Sequence, residues 1–493
     1  MNQRKFDPSL VMPSSGHLFY GGAWHAPKNG VFLNTLNPAD GSVLASVASA
    51  DAEDVDAACT ASHAAFKLWR TLKPAERAAH LRKAAQTLRD HAAELAMLDA
   101  LNTGNPVAEM VSDAMIAAAT IDYFAGIAGE AKGETIPMGE GALNYTVREP
   151  LGVVARIVAF NHPLLFAGMK IAAPLAAGNT VIIKPSDQAP LSAIRMAELI
   201  GSLLPPGVLS VLPGGRECGE ALTTHPLVRK VTVIGSVPTG KAIMRNAADS
   251  LKGVLLELGG KNAMIAYPDV DIEQVAAGAV RGMNFTWAGQ SCGSTSRLFL
   301  HASIHDQVLE RIAAITNAKH KPGIPSDWNT TMGPLISRVQ YQKVLEYIES
   351  AKQQGARLVT GGKPPIDAAL AQGNFIEPTI FADVAMSMRI AREEIFGPVL
   401  SVFKWDDEEA MLADVNALEL GLTASIWTNN LQTAHRAAQR VEAGYIWINN
   451  SSAHFLGAPF GGYKQSGLGR EECVEELLEF TQTKNVNISL PTP

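Results

Sequence analysis

The sequence contains few cysteines, and their number and spacing argue against a disulfide framework and against a cysteine-bound metal. Cys59, Cys218, Cys292 and Cys473 are the cysteines of a 493-residue chain, too few for a disulfide framework. They form no CxxC pair, so we expect no bound metal. Cys59, Cys218 and Cys473 each have apolar neighbours at helical spacing, and we interpret them as core residues.

The sequence also has no large excess of charge of one sign and no long apolar run. The net charge is −7, and the charged residues, 18% of the chain, are well mixed, which argues against the basic field that nucleic acid or an anionic membrane requires. The N-terminus has no apolar stretch of signal-peptide length, and no segment reaches the roughly 18 uncharged apolar residues of a membrane-spanning helix. We therefore predict a cytoplasmic protein that binds neither nucleic acid nor membrane.

What is present is the composition of a large globular chain, with 47% hydrophobic residues. At about 100–200 residues per domain, the length predicts two to four domains. Asp51 is a candidate cap of a helix, and Ala-rich helical periodicity follows it. Apolar β-like runs alternate with helical stretches over 151–260 and 261–450, which is typical of parallel sheets covered by helices. Leu143–Val147 alternates like a strand, and we predict the tail Thr483–Leu490 as its partner.

Residues 289–293, GQSCG, place Cys292 between small residues in a loop-like context. Small neighbours leave room for a substrate, and a catalytic cysteine must be accessible and activated. An isolated cysteine is more often buried and inert. The motif alone therefore leaves both interpretations open.

Glu257 and Asn161 are candidates for acid–base and oxyanion chemistry. Glu257 begins ELGGKN at the end of an apolar run, and it is either a general base with a raised pKa or a solvated glutamate at a strand end. Asn161, in FNHP, is either the N-cap of the next helix or an amide that stabilises an oxyanion in a cleft. Lys170 lies two turns further on, roughly on the same side. We interpret His162 as a partly exposed neighbour of the cap.

Further motifs suggest phosphate and ribose contacts. Residues 235–240, GSVPTG, follow a β-like run and open a helix, a junction that offers backbone N–H groups to a phosphate. Their spacing is not GxGxxG, so the signal alone is weak. The segment KPSD, at 184–187, would suit ribose hydroxyls. Segments 393–398 (EEIFGP) and 459–467 (PFGGYKQSG) could each be a surface turn.

Together these motifs, in their order along the chain, resemble those of the aldehyde dehydrogenase superfamily, from about residue 18 to the C-terminus. The resemblance implies a nucleophile, a base, an oxyanion-binding amide and an assisting lysine at Cys292, Glu257, Asn161 and Lys170. The sequence departs from the family at Phe160 and His162, where relatives usually have a tryptophan and another aromatic residue.

The resemblance also implies NAD(P) as cofactor. The implied contacts are Lys184, Ser186, Asp187, Gly235, Ser236, Glu394 and Phe396. In the family, Ser236 matches a pyrophosphate contact, Glu394 a ribose contact and Phe396 a nicotinamide contact. The position of Asp187 is commonly glutamate in members that prefer NAD. An acidic group repels a 2′-phosphate, which favours NAD, but aspartate is one methylene shorter and leaves NADP usable.

The implied mechanism oxidises an aldehyde to its carboxylic acid. Cys292 attacks the aldehyde carbon, the Asn161 amide and the Cys292 N–H hold the oxyanion, hydride passes to the nicotinamide, and Glu257 activates the water that hydrolyses the thioester. Branches that transfer the acyl group to coenzyme A lack this glutamate, so water is the expected acceptor. The rival hypotheses are a coenzyme A-acylating semialdehyde dehydrogenase and a non-catalytic nucleotide-binding protein on the same fold.

The implied fold is α/β and has three parts. They are a Rossmann-like cofactor domain (1–128 and 151–259), an α/β catalytic domain (260–465) and a small β oligomerisation flap (129–150 and 466–493). Such a flap has unpaired edges, so we predict a homodimer or homotetramer.

By resemblance, a tunnel for a small aldehyde is lined by apolar and mostly aromatic residues. They are Phe166, Met169, Trp287, Phe460, and Phe455 or Leu456. Desolvating a charged aldehyde there is costly, which favours an aromatic or medium-chain apolar substrate. No arginine is placed to pair with a second carboxylate, which counts against succinate semialdehyde.

Overall fold

The computed structural model describes residues 11–489. Residues 1–10 and 490–493 lie outside the described residues, including the start of the predicted cofactor domain and the end of the predicted flap strand. The strands are β1 (Leu18–Tyr20), β2 (Ala23–His25), β3 (Phe32–Leu36), β4 (Val43–Ala48), β5 (Thr135–Ile136), β6 (Ala142–Pro150), β7 (Val153–Ile157), β8 (Thr180–Lys184), β9 (Leu209–Val211), β10 (Val228–Ile234), β11 (Gly253–Glu257), β12 (Ala263–Ala266), β13 (Arg297–His301), β14 (Arg357–Thr360), β15 (Thr379–Ala382), β16 (Val399–Trp405), β17 (Leu420–Gly421), β18 (Thr423–Trp427), β19 (Tyr445–Ile448), β20 (Tyr463–Lys464), β21 (Gly467–Leu468) and β22 (Thr481–Ser489).

The helices are α1 (Ala52–Trp69), α2 (Pro74–Asp90), α3 (Ala92–Thr103), α4 (Val107–Gly126), α5 (Pro163–Lys170), α6 (Ala172–Ala177), α7 (Leu191–Ile200), α8 (Arg216–Thr224), α9 (Val237–Ala248), α10 (Ile272–Gly282), α11 (His305–Lys319), α12 (Arg338–Gln353), α13 (Arg389–Arg392), α14 (Glu408–Asn416), α15 (Leu431–Arg440) and α16 (Val474–Glu479). None of those within residues 11–489 combines the length and apolar character needed to cross a membrane.

Asp51 caps α1, as the sequence predicts. Its carboxylate accepts hydrogen bonds from the backbone N–H groups of Glu53 and Asp54, while the Asp54 side chain accepts from the Asp51 N–H. This reciprocal capping satisfies donors that have no partner within the helix. The helix buries an apolar face that includes Cys59, which the sequence predicts as a core residue, and Trp69.

The first sheet has the order β2-β1-β9-β8-β7-β10-β11-β21. Its five central strands, β9 to β11 in this order, are parallel. At the edges, β1 and β21 pair antiparallel with these strands, and β2 pairs antiparallel with β1. The chain leaves β7 toward β8 on one side and reaches β10 on the other. The crevice beyond the carboxyl ends of β7 and β10 is therefore a topological switch point, where open α/β sheets bind ligands.

The second sheet has the order β14-β15-β16-β13-β12-β18-β19 and is parallel except for β14. Its strands lie within the predicted catalytic domain. Buried side chains pack on both of its faces, among them Phe299 with Phe403 on one face and Leu298 with Leu400 on the other. This is the doubly covered arrangement that parallel sheets require.

The predicted flap forms a three-stranded antiparallel sheet in the order β22-β6-β5. The predicted pairing of β6 with the C-terminal tail is thus present. The boundary at 466 differs from the prediction, because β21 pairs with β11 in the first sheet. Leu477 and Phe480 also pack into the core of that sheet's helical layer. The flap strand itself begins only at Thr481.

Candidate active site

Cys292 lies in a tight loop after α10, in the loop-like context that the sequence predicts. It is half-buried, whereas the three other cysteines are buried. Asn284, Ala288 and Gly289 precede it with positive φ angles of 56°, 51° and 68°. A Cβ on Gly289 would lie 2.1 Å from the backbone oxygen of Gly397, so this turn requires glycine.

The surroundings of Cys292 keep its sulfur protonated at rest. Burial raises the pKa of the thiol to about 12, and the negative charges of Glu257 and Glu394 act in the same direction. Hydrogen bonds from the backbone N–H groups of Cys292 and Gly293 oppose this effect without overcoming it. Because the thiolate is the nucleophile, Cys292 needs a base to take its proton.

Glu257 is the last residue of β11 and is 5% exposed. The alternative of a solvated glutamate is therefore wrong. Both carboxylate oxygens are buried and have no hydrogen-bond partner among residues 11–489. Burial raises the pKa of Glu257 well above its ordinary value, and the charge of Glu471 adds to this, while Lys170 opposes it. Such a carboxyl group is suited to accept a proton.

A buried ionic network lies next to Glu257. Lys170, at the end of α5, forms an ion pair with Glu471. Arg156, in the middle of β7, donates to Glu471 at 2.9 Å and to Glu476 at 2.7 Å. These side chains are at most 4% exposed. Burial raises the pKa of Glu471, but Lys170 and Arg156 outweigh it and lower this pKa overall, so Glu471 stays charged.

Asn161 is not the N-cap of α5, contrary to the first interpretation of the sequence. His162 occupies that position. The Asn161 side-chain Nδ2 instead donates to the backbone oxygen of Gln290 at 3.0 Å, two residues before Cys292. Its backbone oxygen accepts from Asn105 Nδ2 at 2.7 Å. A side-chain amide has two N–H donors, and the second of these has no acceptor within the described chain.

The ELGGKN segment fixes the backbone around Cys292. Asn262 Nδ2 donates to the backbone oxygen of Cys292 at 2.6 Å and to that of Ser294 at 3.0 Å. A Cβ on Gly260 would lie 2.9 Å from the Cys292 oxygen, so the two loops meet closely. Ser466, from the PFGGYKQSG segment, donates to the backbone oxygen of Gly259 at 2.8 Å. Three of the motifs identified in the sequence therefore meet here.

Glu394 brings the EEIFGP segment to the same place. Its Oε1 accepts from the Gly260 N–H at 3.1 Å, and burial raises the pKa of its carboxyl group to about 6. Phe396 has a φ of +54° and lies edge-on to Phe160, with ring centroids 5.7 Å apart. Phe160 precedes Asn161. The candidate ribose and nicotinamide contacts therefore flank the candidate catalytic residues.

The remaining candidate cofactor contacts lie at the carboxyl edge of the first sheet. Lys184 ends β8 and is buried, with its Nζ donating to the Pro185 oxygen at 3.1 Å. Ser186 is half-buried and Asp187 is exposed. Ser236 is the N-cap of α9, where its hydroxyl accepts from the Thr239 N–H. Gly235, just before it, follows β10 directly.

The candidate tunnel residues are not all equally enclosed. Phe166 and Trp287 are half-buried and lie edge-on to the ring of His162, with centroids 5.8 Å and 4.6 Å away. Met169 is 5% exposed and Phe460 is 6% exposed. Of the two alternatives, Phe455 is 59% exposed and Leu456 40% exposed.

His162 is buried, with 6% exposure, and is not the partly exposed residue that the sequence predicts. Its Nδ1 bonds to Asp113 Oδ2 at 2.7 Å. Asp113 and the partners of Lys170 were not identified from the sequence. A charged residue inside the apolar strand VVARI, Arg156, was the available signal that β7 has a buried ionic partner.

Within residues 11–489, no group of His, Cys, Asp or Glu could hold a metal ion.

Comparison with known proteins agrees with this geometry. A family model described as the aldehyde dehydrogenase family matches residues 24–486. Aldehyde dehydrogenase tropH of Talaromyces stipitatus is 54% identical over 486 residues, 97% of this chain and 94% of that protein. The NAD+ complex of an aldehyde dehydrogenase from Bacillus cereus has a TM-score of 0.95 at 38% identity, over 99% of each chain. The indole-3-acetaldehyde dehydrogenase AldA of P. syringae, in complex with NAD+ and IAA, has a TM-score of 0.94 at 38% identity, over 97% of each chain. This chain belongs to the aldehyde dehydrogenase family, whose members oxidise aldehydes to acids.

Proposed function

We propose that the chain oxidises an aldehyde to a free carboxylic acid with NAD, through a thioester on Cys292. The observation that carries this proposal is the environment of Glu257, a buried carboxylate with no hydrogen-bond donor among residues 11–489, whose charge acts on the Cys292 thiol. A carboxyl group in this state has a raised proton affinity. It can therefore serve as the base that both the thiol and the hydrolytic water need.

The first chemical step forms a bond between Cys292 Sγ and the aldehyde carbon while the thiol proton passes to a base, the role that we assign to Glu257. The carbonyl oxygen becomes an oxyanion, which the free N–H of the Asn161 side chain and the backbone N–H of Cys292 stabilise. Loss of hydride from the same carbon leaves a thioester on Cys292.

Hydrolysis regenerates the enzyme. Glu257 first releases the thiol proton to the surroundings. It then takes a proton from water, the water oxygen attacks the thioester carbon, and the C–S bond breaks to release the carboxylic acid and the Cys292 thiolate. Lys170 is placed beside Glu257 and is paired with Glu471, so it can help proton transfer between Glu257 and the surroundings. The overall reaction consumes one aldehyde, one water and one NAD+ and yields acid, NADH and a proton.

NAD fits the carboxyl edge of the first sheet. When bound, it accepts the hydride. The N–H groups at the exposed N-terminus of α9 and the hydroxyl of Ser236 suit a pyrophosphate at the topological switch point. The Glu394 carboxylate suits ribose hydroxyls, and Phe396 suits the face of the nicotinamide ring. The solved relatives in complex with NAD+ support this assignment. Asp187 favours NAD over NADP because an exposed carboxylate repels a 2′-phosphate.

An aromatic or medium-chain apolar aldehyde is the proposed substrate class. The aromatic rings of Phe166 and Trp287 close to the catalytic loop favour an apolar body. The indole-3-acetaldehyde dehydrogenase among the solved relatives acts, by its name, on an aldehyde with an aromatic group. A coenzyme A-acylating enzyme is the second candidate, and Glu257 argues against it because a base that activates water hydrolyses the thioester before its acyl group can pass to coenzyme A.

The test is NADH formation by purified protein with benzaldehyde and hexanal, with and without coenzyme A. We expect a rate that needs no coenzyme A and that Cys292→Ala abolishes. Cys59→Ala, a cysteine buried in α1 far from these motifs in sequence, is the matched control and should retain the rate. A strict coenzyme A requirement, or equal activity of Cys292→Ala, would overturn the proposal.

A further inference from the structure

His162 lies beside the candidate catalytic residues, yet the mechanism above does not use it. It follows Asn161, begins α5 and has a side chain that is 8% exposed. Its ring packs edge-on against Phe166 and Trp287. The imidazole is therefore a polar group set into the aromatic part of the proposed substrate tunnel.

Asp113, on α4, determines which imidazole nitrogen is left for a ligand. Its carboxylate, 4% exposed, lies 2.7 Å from His162 Nδ1. Because an ionised carboxylate only accepts hydrogen bonds, Nδ1 carries the proton of this pair. Nε2 has no hydrogen-bond partner among residues 11–489. Trp287 Nε1 also has no partner within the described chain and is fully enclosed, whereas His162 Nε2 is not fully enclosed and remains accessible.

A hydroxyl group is the partner that suits Nε2 in both protonation states of the ring. Neutral imidazole accepts a hydrogen bond at Nε2, whereas imidazolium donates one, and a hydroxyl can do either. Burial lowers the pKa of His162, but Asp113 and Asp99 outweigh it and raise the pKa overall, which favours the protonated ring. An unsubstituted aldehyde would leave this nitrogen without a partner once water is expelled, which costs free energy.

A second carboxylate on the substrate fits less well, because the groups around His162 are mostly acidic. Asp113 is in contact with the ring, and Asp99 influences its titration from α3. Glu109 lies one turn before Asp113 on α4 and is close enough for the charge of Asp113 to raise its pKa, in addition to burial. An incoming carboxylate meets the carboxylate of Asp113, and Asp99, whose pKa burial raises to about 7, adds a like charge above that pH.

We propose that the substrate is a hydroxylated aromatic aldehyde whose ring hydroxyl binds His162 Nε2, with Asp113 as the positioning residue. The aromatic walls hold the ring, and the imidazole selects for the hydroxyl. This inference rests on the proposed aldehyde oxidation and narrows its substrate class.

The first experiment compares kcat/KM of the wild-type enzyme for benzaldehyde and its 2-, 3- and 4-hydroxy, 4-methoxy and 4-carboxy derivatives. We expect one hydroxy isomer to exceed benzaldehyde by at least about tenfold. The methoxy group only accepts hydrogen bonds, so it should recover part of this advantage at most. Equal values for all hydroxy isomers and benzaldehyde would overturn the inference and leave aldehyde oxidation supported.

Variants assign the preference to His162. His162→Phe should reduce the ratio of hydroxylated to unsubstituted kcat/KM to about one, and His162→Gln, which can donate and accept, should restore part of it. Asp113→Asn should raise KM for the hydroxylated aldehyde more than it lowers kcat. Asp306→Asn, which alters a histidine–aspartate pair with an exposed carboxylate, is the matched control and should keep the wild-type ratio.

A binding measurement keeps the inference testable if the His162 variants fold poorly or if turnover is absent. Calorimetry on Cys292→Ala should show at least about tenfold tighter binding of the preferred hydroxybenzaldehyde than of benzaldehyde. Equal affinities would contradict the role of His162. A preference for 4-carboxybenzaldehyde that His162→Phe removes would also contradict it, because it would identify an anion site.

Discussion

Glu257 occupies a position where ionisation of a carboxyl group is costly. Its two oxygens are enclosed and have no hydrogen-bond donor among residues 11–489, and Glu471 adds a like charge nearby. A carboxylate in such a place weakens the fold rather than stabilising it. Its raised proton affinity, on the other hand, is what a base working near neutral pH requires.

Replacing Glu257 with glutamine should therefore separate catalysis from stability. Glutamine has the same shape without the charge, so we expect the thermal unfolding temperature to stay equal or rise. Steady-state kcat should fall by about 10²–10⁴-fold. Single-turnover NADH formation should also slow, because Glu257 takes the thiol proton as well as the proton of water. Intact-mass measurement after long incubation with aldehyde and NAD should show an acylated chain that hydrolyses slowly.

The pH profile gives the control for this prediction. In the wild-type enzyme, kcat should fall as the pH drops through the raised pKa of Glu257, since the protonated carboxyl cannot take a proton from water. This limb should be absent in Glu257→Gln and present in Glu310→Gln, a change at an exposed helix position. A Glu257→Gln variant with more than a tenth of wild-type kcat would rule out this residue as the base.

At the residue scale, the sequence was informative where function is carried by motifs. The motifs placed Cys292, Glu257 and Asn161 among the candidates, and the structure brings their segments together. The side chains that tune them were not predicted. Lys170 and Glu471 are 301 positions apart, and His162 and Asp113 are 49 apart. An aspartate on an Ala-rich helix carries no local signal of such a partner.

At the scale of elements, the position of Cys292 depends on contact between two loops, its own loop and the loop that follows β11. The loop after β11 approaches the Cys292 loop so closely that Gly260 has no room for a side chain. An added Cβ would lie 2.4 Å from Asn262 Oδ1 and 2.9 Å from the Cys292 oxygen. Asn262 would have to move, and it is the residue that binds the Cys292 carbonyl.

Gly260→Ala should therefore displace the nucleophile and lower kcat by about 10²-fold, the effect of a shift of roughly 1 Å at a reacting atom. Gly129→Ala is the matched control, because nothing lies within 4 Å of its added Cβ. Steady-state kinetics of both variants would check this. Wild-type kcat in Gly260→Ala would mean that the loop tolerates the shift.

The ionic network joins β7, α5 and the segment before α16, and its stability effect can be measured. Glu471→Gln leaves Lys170 and one side of Arg156 without their carboxylate partner. Breaking a buried ion pair on one side costs about 3–5 kcal/mol. We expect a clear fall in the urea unfolding midpoint. Glu273→Gln, which breaks an exposed pair with Arg311, should leave the midpoint nearly unchanged.

An unchanged midpoint in Glu471→Gln would show that the remaining carboxylates, Glu257 and Glu476, compensate for the loss. The start of α5 was predictable to within one residue, because Asn161 was a candidate cap and the N-cap is its neighbour His162. The partner of β11 was not, since Gly467–Leu468 is too short and too polar in context to be recognised as a strand of the first sheet.

At the scale of the whole molecule, the two large sheets are joined through the ELGGKN loop. The carboxyl end of β11 leads directly into the ELGGKN loop and then into β12 of the second sheet. The base therefore lies at the junction between the sheet that suits the cofactor and the sheet whose loops hold the nucleophile. Strand alternation in the sequence predicted both sheets, whereas their strand orders depend on long-range pairing that periodicity does not encode.

The three-stranded flap suggests that the functional molecule is an oligomer. The outer side of β22 has no strand partner within residues 11–489, and its apolar residues include Ile488, which is 36% exposed and lies opposite Leu143, 40% exposed. A free edge with apolar side chains is a site for pairing with another chain. We therefore propose a homodimer or homotetramer that this sheet joins.

Introducing like charges on the flap should break this assembly. In the double variant Leu143→Asp, Ile488→Asp, two cross-strand neighbours both become anionic and repel a partner surface. Light scattering after size exclusion should then give a smaller mass, approaching one chain of 52.4 kDa. Val339→Asp, at an 81% exposed position on α12, is the control and should keep the wild-type mass. A double variant with unchanged mass and normal folding would place the subunit interface elsewhere on the molecule. A wild-type protein with the mass of a single chain would rule out the proposed oligomer.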